Sequence, residues 1–415
     1  MENLVLRKIE IEETIVKYDF DATGCLSSFF KSRTMFCDFG MDVSNIPKSI
    51  LSIPFVGAFV ALAWIVDANI WVPELDRTFY EALKSVKNAF QEMHYDYTLK
   101  GRLVPSVLVG NIVEKSNSSM LLFGGGIDAH CSLIRNRGEI SHLINIQGWY
   151  ESIDDENRVA DKEKKHCEQV AMSNGIQSLF VKSNFASILK SDQIDRRYRV
   201  ALHESWWHGF QHAMAFITIA IVPAFLKGIS NLIIGSSNTV GDQVACASDI
   251  TTDSEYRFAC YGSVIHDGFE LSRQQKVEII VQYQKKSQKP YPLEVCSFND
   301  HNCCSCEKCF RTIIEIIAEG GEISDYNFNI EEPLMCYFEK VMYNHLGLWG
   351  MDFERKIYWN STFARIHENW DNIKEKDFCN WLLNFDFDKA KRQGLIRYYR
   401  QNFFSILKRK LHLSK

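Results

Sequence analysis

Met120-Leu121-Leu122-Phe123-Gly124-Gly125-Gly126-Ile127-Asp128-Ala129 is the stretch on which the fold turns. Four apolar residues suited to a buried strand run into three glycines and then into a helix beginning near Asp128. Glycines let backbone N–H groups approach an anion closely, and a helix N-terminus adds positive potential, so the junction suits phosphate. Asp128 can cap that helix or hold a magnesium ion that bridges phosphates. No Gly-Lys-Ser/Thr follows, which excludes a Walker loop, and the Gly-x-Gly-x-x-Gly spacing of dinucleotide folds is missing. A plain tight turn between strand and helix accounts for the same residues equally well.

Outward from the loop the pattern repeats. Leu143 to Gln147, Ser178 to Lys182, Asn231 to Gly235 and Gly262 to His266 predict strands. Helical stretches at Asn157 to Ser173 and around residues 194–228 separate them. This alternation predicts an α/β fold, a doubly wound parallel sheet with helices on both faces. Upstream, Ile9, Ile11, Ile15 and Val16 alternate as in a hairpin. Residues 47–66 predict a helix, Ala68 to Val72 a strand ended by Pro73, and Thr78 to Tyr95 a helix. The aromatic-rich end of the chain reads as helical. These shifts divide the 415 residues into an N-terminal α+β subdomain (1–112), a nucleotide-type domain (113–315) and a helical C-terminal region (316–415).

Thirteen cysteines are present, five of them within the fourteen residues from Cys296 to Cys309. Cys296, Cys303, Cys306 and Cys309 give the spacing C-x6-C-x2-C-x2-C, in which two overlapping Cys-x-x-Cys turns and an upstream thiolate close a tetrahedral zinc site. An iron–sulfur cluster uses the same ligands. Cys304 fits the register poorly and reads as a bystander, and the eight scattered cysteines read as small buried apolar residues.

Glycine loop and cysteine cluster together carry a resemblance. Residues 120–129 resemble the strand, Ser-Gly-Gly-x-Asp-Ser, helix signature of the PP-loop ATP pyrophosphatases. Gly125, Gly126 and Asp128 match, while Gly124 and Ala129 stand where that family has serines. The cluster is similar to the C-terminal four-cysteine zinc site of the 7-cyano-7-deazaguanine synthase branch. Between the two, Ile233-Ile234-Gly235 is followed by polar residues, and Lys276-Val277-Glu278-Ile279-Ile280 looks like that branch's Lys-x-Glu-Ile-Ile helix. The likeness covers residues 115–315; the flanking parts look more like larger relatives found in polysaccharide loci and anti-phage defence islands.

The resemblance implies a PP-loop, HUP-like sheet that binds ATP, Mg²⁺ and Zn²⁺. Gly124, Gly125, Gly126, Asp128, Ala129 and Lys276 would hold the nucleotide, with Asp128 and Lys276 catalytic, and the four cysteines would hold the zinc. The implied activity is adenylylation of a carboxylate, on a deazapurine or a protein partner, followed by attack of ammonia or an amine and departure of AMP. In the synthase branch a second activation dehydrates the amide to a nitrile. A nucleotide-binding scaffold without turnover stays open, because both family hydroxyls are missing.

Weaker signals lie beside these. His203, Glu204 and His208 give H-E-x-x-x-H, one residue too long for a zinc-protease motif. His208 and His212 share one helix face and can bind metal or face a cleft, although Trp206, Trp207 and Phe210 favour packing. His266-Asp267-Gly268 with Glu270 follows a predicted strand end, and Asp249 and Asp253 lie in a polar loop.

Apolar residues at 46% and charged residues at 24% exclude a disordered or fibrous chain. The net charge is −5, yet residues 389–415 hold nine Lys or Arg and no acid, which leaves the remainder near −14. A basic end on an acidic body suggests docking to a protein partner, a phosphate-rich ligand or an anionic surface, and the solvated face of a last helix accounts for it equally well. It also allows a zinc-stabilised nucleic-acid binder, against which the acidic remainder argues. Ile50 to Val66 and Ala213 to Leu226 are apolar but interrupted, so buried helices and a cytoplasmic, membrane-free protein are expected. A homo-oligomer is left open.

Overall fold

The computed structural model describes residues 2–149, 153–241, 244–296, 301–345 and 353–412. The chain divides into two compact units, Met1–Glu270 and Leu271–Lys415. The sequence places its boundaries elsewhere, near residues 112 and 315, and the strands of residues 1–112 join the same sheet as those that follow.

That sheet has eleven strands: β1 (Glu2–Glu12), β2 (Ile15–Ala22), β3 (Thr34–Asp38), β4 (Ala68–Asp76), β5 (Arg102–Val109) and β6 (Ser119–Leu122), then β7 (Ile140–Gln147), β8 (Gln177–Ser183), β9 (Asn231–Gly235), β10 (Arg257–Phe258) and β11 (Gly262–Asp267). Their order across the sheet is β10-β11-β9-β6-β7-β8-β3-β2-β1-β4-β5. Pairing is parallel from β11 through β9, β6 and β7 to β8, and again from β1 through β4 to β5. The fold is therefore α/β with a mostly parallel sheet, joined in the middle by the antiparallel β1, β2 and β3.

Local sequence explains these elements. β1 and β2 form the expected hairpin, in which Leu4, Leu6, Val16, Tyr18 and Phe20 point into the core. β4 continues past Pro73 to Asp76 because β1 pairs only with residues 68–71, so the proline costs no hydrogen bond to that neighbour. Helix Ile53–Val66 is buried over nearly its whole length and packs on helix His212–Leu226. A Cβ on Gly57 would lie 2.0 Å from Thr218 Oγ1, so glycine is what lets these helices approach. Among the described residues, Lys48–Val66 and Trp207–Leu226 are long and apolar enough to cross a bilayer, but 94% and 78% of their apolar windows are buried within the protein. That burial marks them as core helices.

The two ends of the strand order are tied together. Asp76, wholly buried at the end of β4, accepts hydrogen bonds from Phe79 N (2.9 Å), Asn111 Nδ2 (2.9 Å) and Ala259 N (3.0 Å), the last lying between β10 and β11. Val113 N donates to Ala259 O at 2.8 Å on the same seam. One carboxylate thus caps helix Arg77–Met93 and links opposite edges of the sheet.

The second unit is helical, as the sequence predicts, and includes helices Arg273–Ser287, Glu307–Ala318, Leu334–His345, Phe353–Glu368, Lys376–Leu383 and Phe387–His412. Arg365 fastens three of them by ion pairs to Glu319 (2.8 Å) and Glu278 (3.2 Å). On the basic last helix Tyr399 and Phe403 are exposed.

Candidate functional site

In chain order β6, β7, β8, β9 and β11 stand as third-second-first-fourth-fifth across the sheet, with the order reversing between β6 and β9. In open α/β sheets ligands bind in the crevice at the carboxyl ends of the strands where the order reverses. Residues 124–126 lie there, directly after β6 and beside the end of β9.

The local geometry of the loop follows from its glycines. Gly125 adopts φ +75°, a conformation L-residues avoid. A Cβ on Gly124 or Gly126 would meet nothing within 4 Å, so the backbone faces open space. Gly126 is the N-cap of helix Ile127–Arg135 and leaves its first N–H groups without a side-chain cap. Asn145 Nδ2 holds the Phe123 carbonyl at 3.1 Å, and its Oδ1 is buried without a hydrogen-bond partner. Gly235 completes the site: a Cβ there would lie 2.8 Å from the Asp128 backbone, so glycine lets β9 reach the first turn of the helix.

Asp128 sits in that first turn, half-buried. Ala129 packs with the apolar cluster of Leu121, Phe123 and Ile233, so its methyl serves the core. Lys276 belongs to the second unit, on helix Arg273–Ser287, and is 2% exposed. The predicted loop residues are therefore together in one unit, and Lys276 is in the other.

Behind the loop, His130 and His166 meet Nε2 to Nε2 at 3.1 Å and pack on Phe123. Burial, then the neighbouring His166, drives the His130 pKa well down. Burial, then Lys162, brings His166 to about 4. Both imidazoles are neutral at pH 7. Asp267, at the end of β11, accepts from Ser132 Oγ at 2.7 Å and pairs with Arg135 at 3.3 Å, which itself pairs with Glu270. These predicted polar residues fix the helix after the loop. His266 turns to Asp253 instead, at 2.9 Å.

The second candidate site lies in the other unit. The sulfurs of Cys296, Cys303, Cys306 and Cys309 lie within 4.8 Å of one another and could hold a metal ion such as zinc. Cys303 Sγ and Cys309 Sγ are 3.8 Å apart. A tetrahedral ion with Zn–S bonds of about 2.3 Å sets its sulfurs about 3.8 Å apart, so the donor set fits. Cys306 N donates to Cys303 Sγ at 3.3 Å and caps helix Glu307–Ala318, whose positive end faces the thiols. Asn302 braces the turn by donating to the carbonyls of Leu293 (2.8 Å) and Asn327 (3.1 Å) while accepting from Val295 N (3.0 Å). Cys304, at φ +52°, is not among the four.

The H-E-x-x-x-H residues do not converge. His203 faces Asp96 at 3.6 Å, whereas His208 pairs with Glu204 at 3.2 Å. Cys246, one of the scattered cysteines, joins His208 and His212, a grouping that sequence reasoning missed. The only trace in the sequence is a cysteine eleven residues beyond Gly235 at the ligand edge of the sheet.

No family model matches the chain, and no curated protein or solved structure matches it.

Proposed function

We propose that the chain is an ATP-dependent enzyme of the PP-loop type, resembling the 7-cyano-7-deazaguanine synthase branch, that adenylylates a carboxylate and passes the acyl group to ammonia or an amine. The supporting observation is the loop at residues 124–126: an open, uncapped, glycine-built turn where the strand order reverses. In this reading its N–H groups bind the ATP phosphates and the helix N-terminus stabilises charge as pyrophosphate departs. In the same reading Asp128 would hold Mg²⁺, which would neutralise phosphate charge. Lys276 is a phosphate ligand in the same reading. The cysteine set holds a structural zinc, since four thiolates leave no open coordination position. The acceptor is a small carboxylate or a protein partner docked on the basic tail.

A second reading is a nucleotide-binding scaffold without turnover. The packing of Ala129 in the apolar cluster favours it, because that position supplies no hydroxyl to the phosphates. Release of AMP and pyrophosphate from ATP, assayed with candidate carboxylates and amines, separates the two. Turnover by the unmodified protein supports the enzyme. ATP binding with no AMP formed, together with a gain in AMP on Gly124→Ser plus Ala129→Ser, supports the scaffold.

A further inference from the structure

Cys246 is buried, as most of the scattered cysteines are, but it meets an imidazole there. After helix Ser191–Leu202 the chain turns through His203 at φ +58° and enters a π-helical turn, Trp207–Gln211, before helix His212–Leu226. π-turns inside helices are uncommon and often mark functional sites. Here the turn places His208 and His212 with stacked rings, their centroids 5.9 Å apart. Gly209 leaves room beneath them for Glu204, whose Cγ would lie 3.0 Å from a Cβ at that position and whose carboxylate reaches His208.

Each imidazole is oriented by a different acceptor. His212 Nδ1 lies 3.0 Å from the Trp207 carbonyl, which can only accept, so Nδ1 carries a hydrogen and the ring turns Nε2 toward Cys246. That Nε2 lies 4.0 Å from Cys246 Sγ. His208 Nδ1 lies 3.2 Å from Glu204 Oε2, and its ring stacks on that of His212, the imidazole that meets Cys246. Ala247 N donates to His208 O at 2.7 Å, pinning the cysteine strand to the π-turn. Beyond it, Asp253 is buried, accepts from Ser248 Oγ at 2.8 Å and faces His266 Nδ1 at 2.9 Å. Thiol, imidazole and carboxylate in this sequence of contacts make an activated nucleophile.

The electrostatics agree with the geometry. Burial works to raise the Cys246 pKa, but hydrogen bonds from His208 and then His212 bring it to about 6. Hydrogen bonds to Cys246 and then to Glu204 lift His208 to about 10. Burial opposes ionisation of Glu204 too, yet His208 and the Ser205 N–H hold it at about 2. At neutral pH the group is thiolate, imidazolium and carboxylate.

We propose that Cys246 is a nucleophilic thiol that accepts an activated acyl group as a transient thioester, with His208 as its acid and base and Glu204 and His212 as positioning residues. Cys246 Sγ attacks the carbonyl carbon, the S–C bond forms, and the bond from that carbon to its leaving group breaks. The leaving group takes the Nε2 proton of His208. Water or an amine then attacks the thioester, gives its proton to His208 and returns the thiolate, so no oxidant or reductant is consumed. The substrate class is a carboxyl group already activated as an ester or mixed anhydride. An acyl adenylate belongs to this class, and the Cys246 loop leaves β9 at the same edge as residues 124–126, but the proposal stands whether or not the loop binds nucleotide.

The test uses the full-length protein and two probes, iodoacetamide and p-nitrophenyl acetate, with sites assigned by peptide mass spectrometry. The expected result is Cys246 alkylation half-maximal near pH 6, with His212→Gln slowing it at least tenfold at that pH. Glu204→Gln should move the profile upward. The acetate ester should give a burst of about one equivalent of nitrophenolate and a hydroxylamine-labile acetyl group on Cys246. ATP is absent from both assays, so failure of the loop reading leaves these outcomes unchanged. Alkylation that rises only near the ordinary thiol range of about 8.5 overturns the proposal. So does labelling confined to the exposed Cys260 and Cys336, or a metal ion lost on Cys246→Ser. Both probes act on the unmodified protein, so the proposal can fail even where a variant does not fold.

Discussion

The thiols at residues 296–309 and the thiol at residue 246 are surrounded in opposite ways. In the first group sulfur meets sulfur: four soft donors converge, one backbone N–H reaches Cys303, and no imidazole belongs to the set. At the second, a single sulfur meets two imidazoles backed by a carboxylate and a carbonyl. The first arrangement is one that a cation such as zinc would neutralise and render inert. The second keeps a thiolate beside a proton donor, which is the condition for reactivity. The groups also differ in origin, since one short segment supplies all four cysteines and two separate parts of the first unit, residues 204–212 and Cys246, build the other.

The largest effect should come from breaking the cluster. Cys306→Ser should abolish binding of about one zinc per chain and lower the melting temperature and solubility of the protein, because structural zinc contributes folding free energy directly. Metal analysis that finds neither zinc nor iron in the unmodified protein would remove the metal half of the comparison.

Asp76→Ala sharpens the contrast from the other side. It leaves the buried N–H groups of Phe79 and Ala259 without their acceptor, removes one of the acceptors of Asn111 Nδ2, and should cost about 3 kcal/mol in denaturant unfolding. Cys246 labelling should change, because its surroundings are assembled by the fold of the first unit. Zinc content should not. Loss of zinc in this variant would show that the cluster depends on more than its own segment.

Acid should act through the histidine pair behind the loop. The folded His166 pKa of about 4 lies below its ordinary 6.5, so between those values the unfolded chain binds more protons. Stability present above pH 6.5 should fall as the pH approaches 4, by up to about 3 kcal/mol from this group. Burial, followed by the His166 contact, lowers His130 as well and adds to the slope. Urea unfolding at several pH values reads the trend, and His166→Phe should flatten it. A pH-independent midpoint would contradict the neutral, buried pair.

Smaller still is Asp128→Asn, which should weaken only the magnesium-dependent part of nucleotide binding, a change visible in titrations with and without the ion.

What could be read in the sequence tracks how far apart the cooperating residues lie. The four cysteines and the three glycines declare themselves within fourteen and three residues, and the strands that alternate with helices after residue 115 lie close to their expected bounds. β5 was hidden because Pro105 and its edge position mask a strand inside what reads as a linker. β3 is only five residues long and takes its identity from pairing with β2 and β8. The linking role of Asp76 depends on Ala259, 183 residues away in the chain, and so leaves no local mark. The Cys246 group was illegible for the same reason, and because a π-turn, which sets the spacing of its two histidines, leaves no mark in composition.

The most direct test of the proposed function is calorimetry of ATP with Mg²⁺ on the unmodified protein and on Gly125→Val. A β-branched side chain at φ +75° would strain the turn and block approach of phosphate to the backbone. The account predicts binding to the unmodified protein and none to the variant, with circular dichroism showing both folded. Absence of heat from the unmodified protein, with magnesium present, would contradict it and leave residues 124–126 as a turn between a strand and a helix.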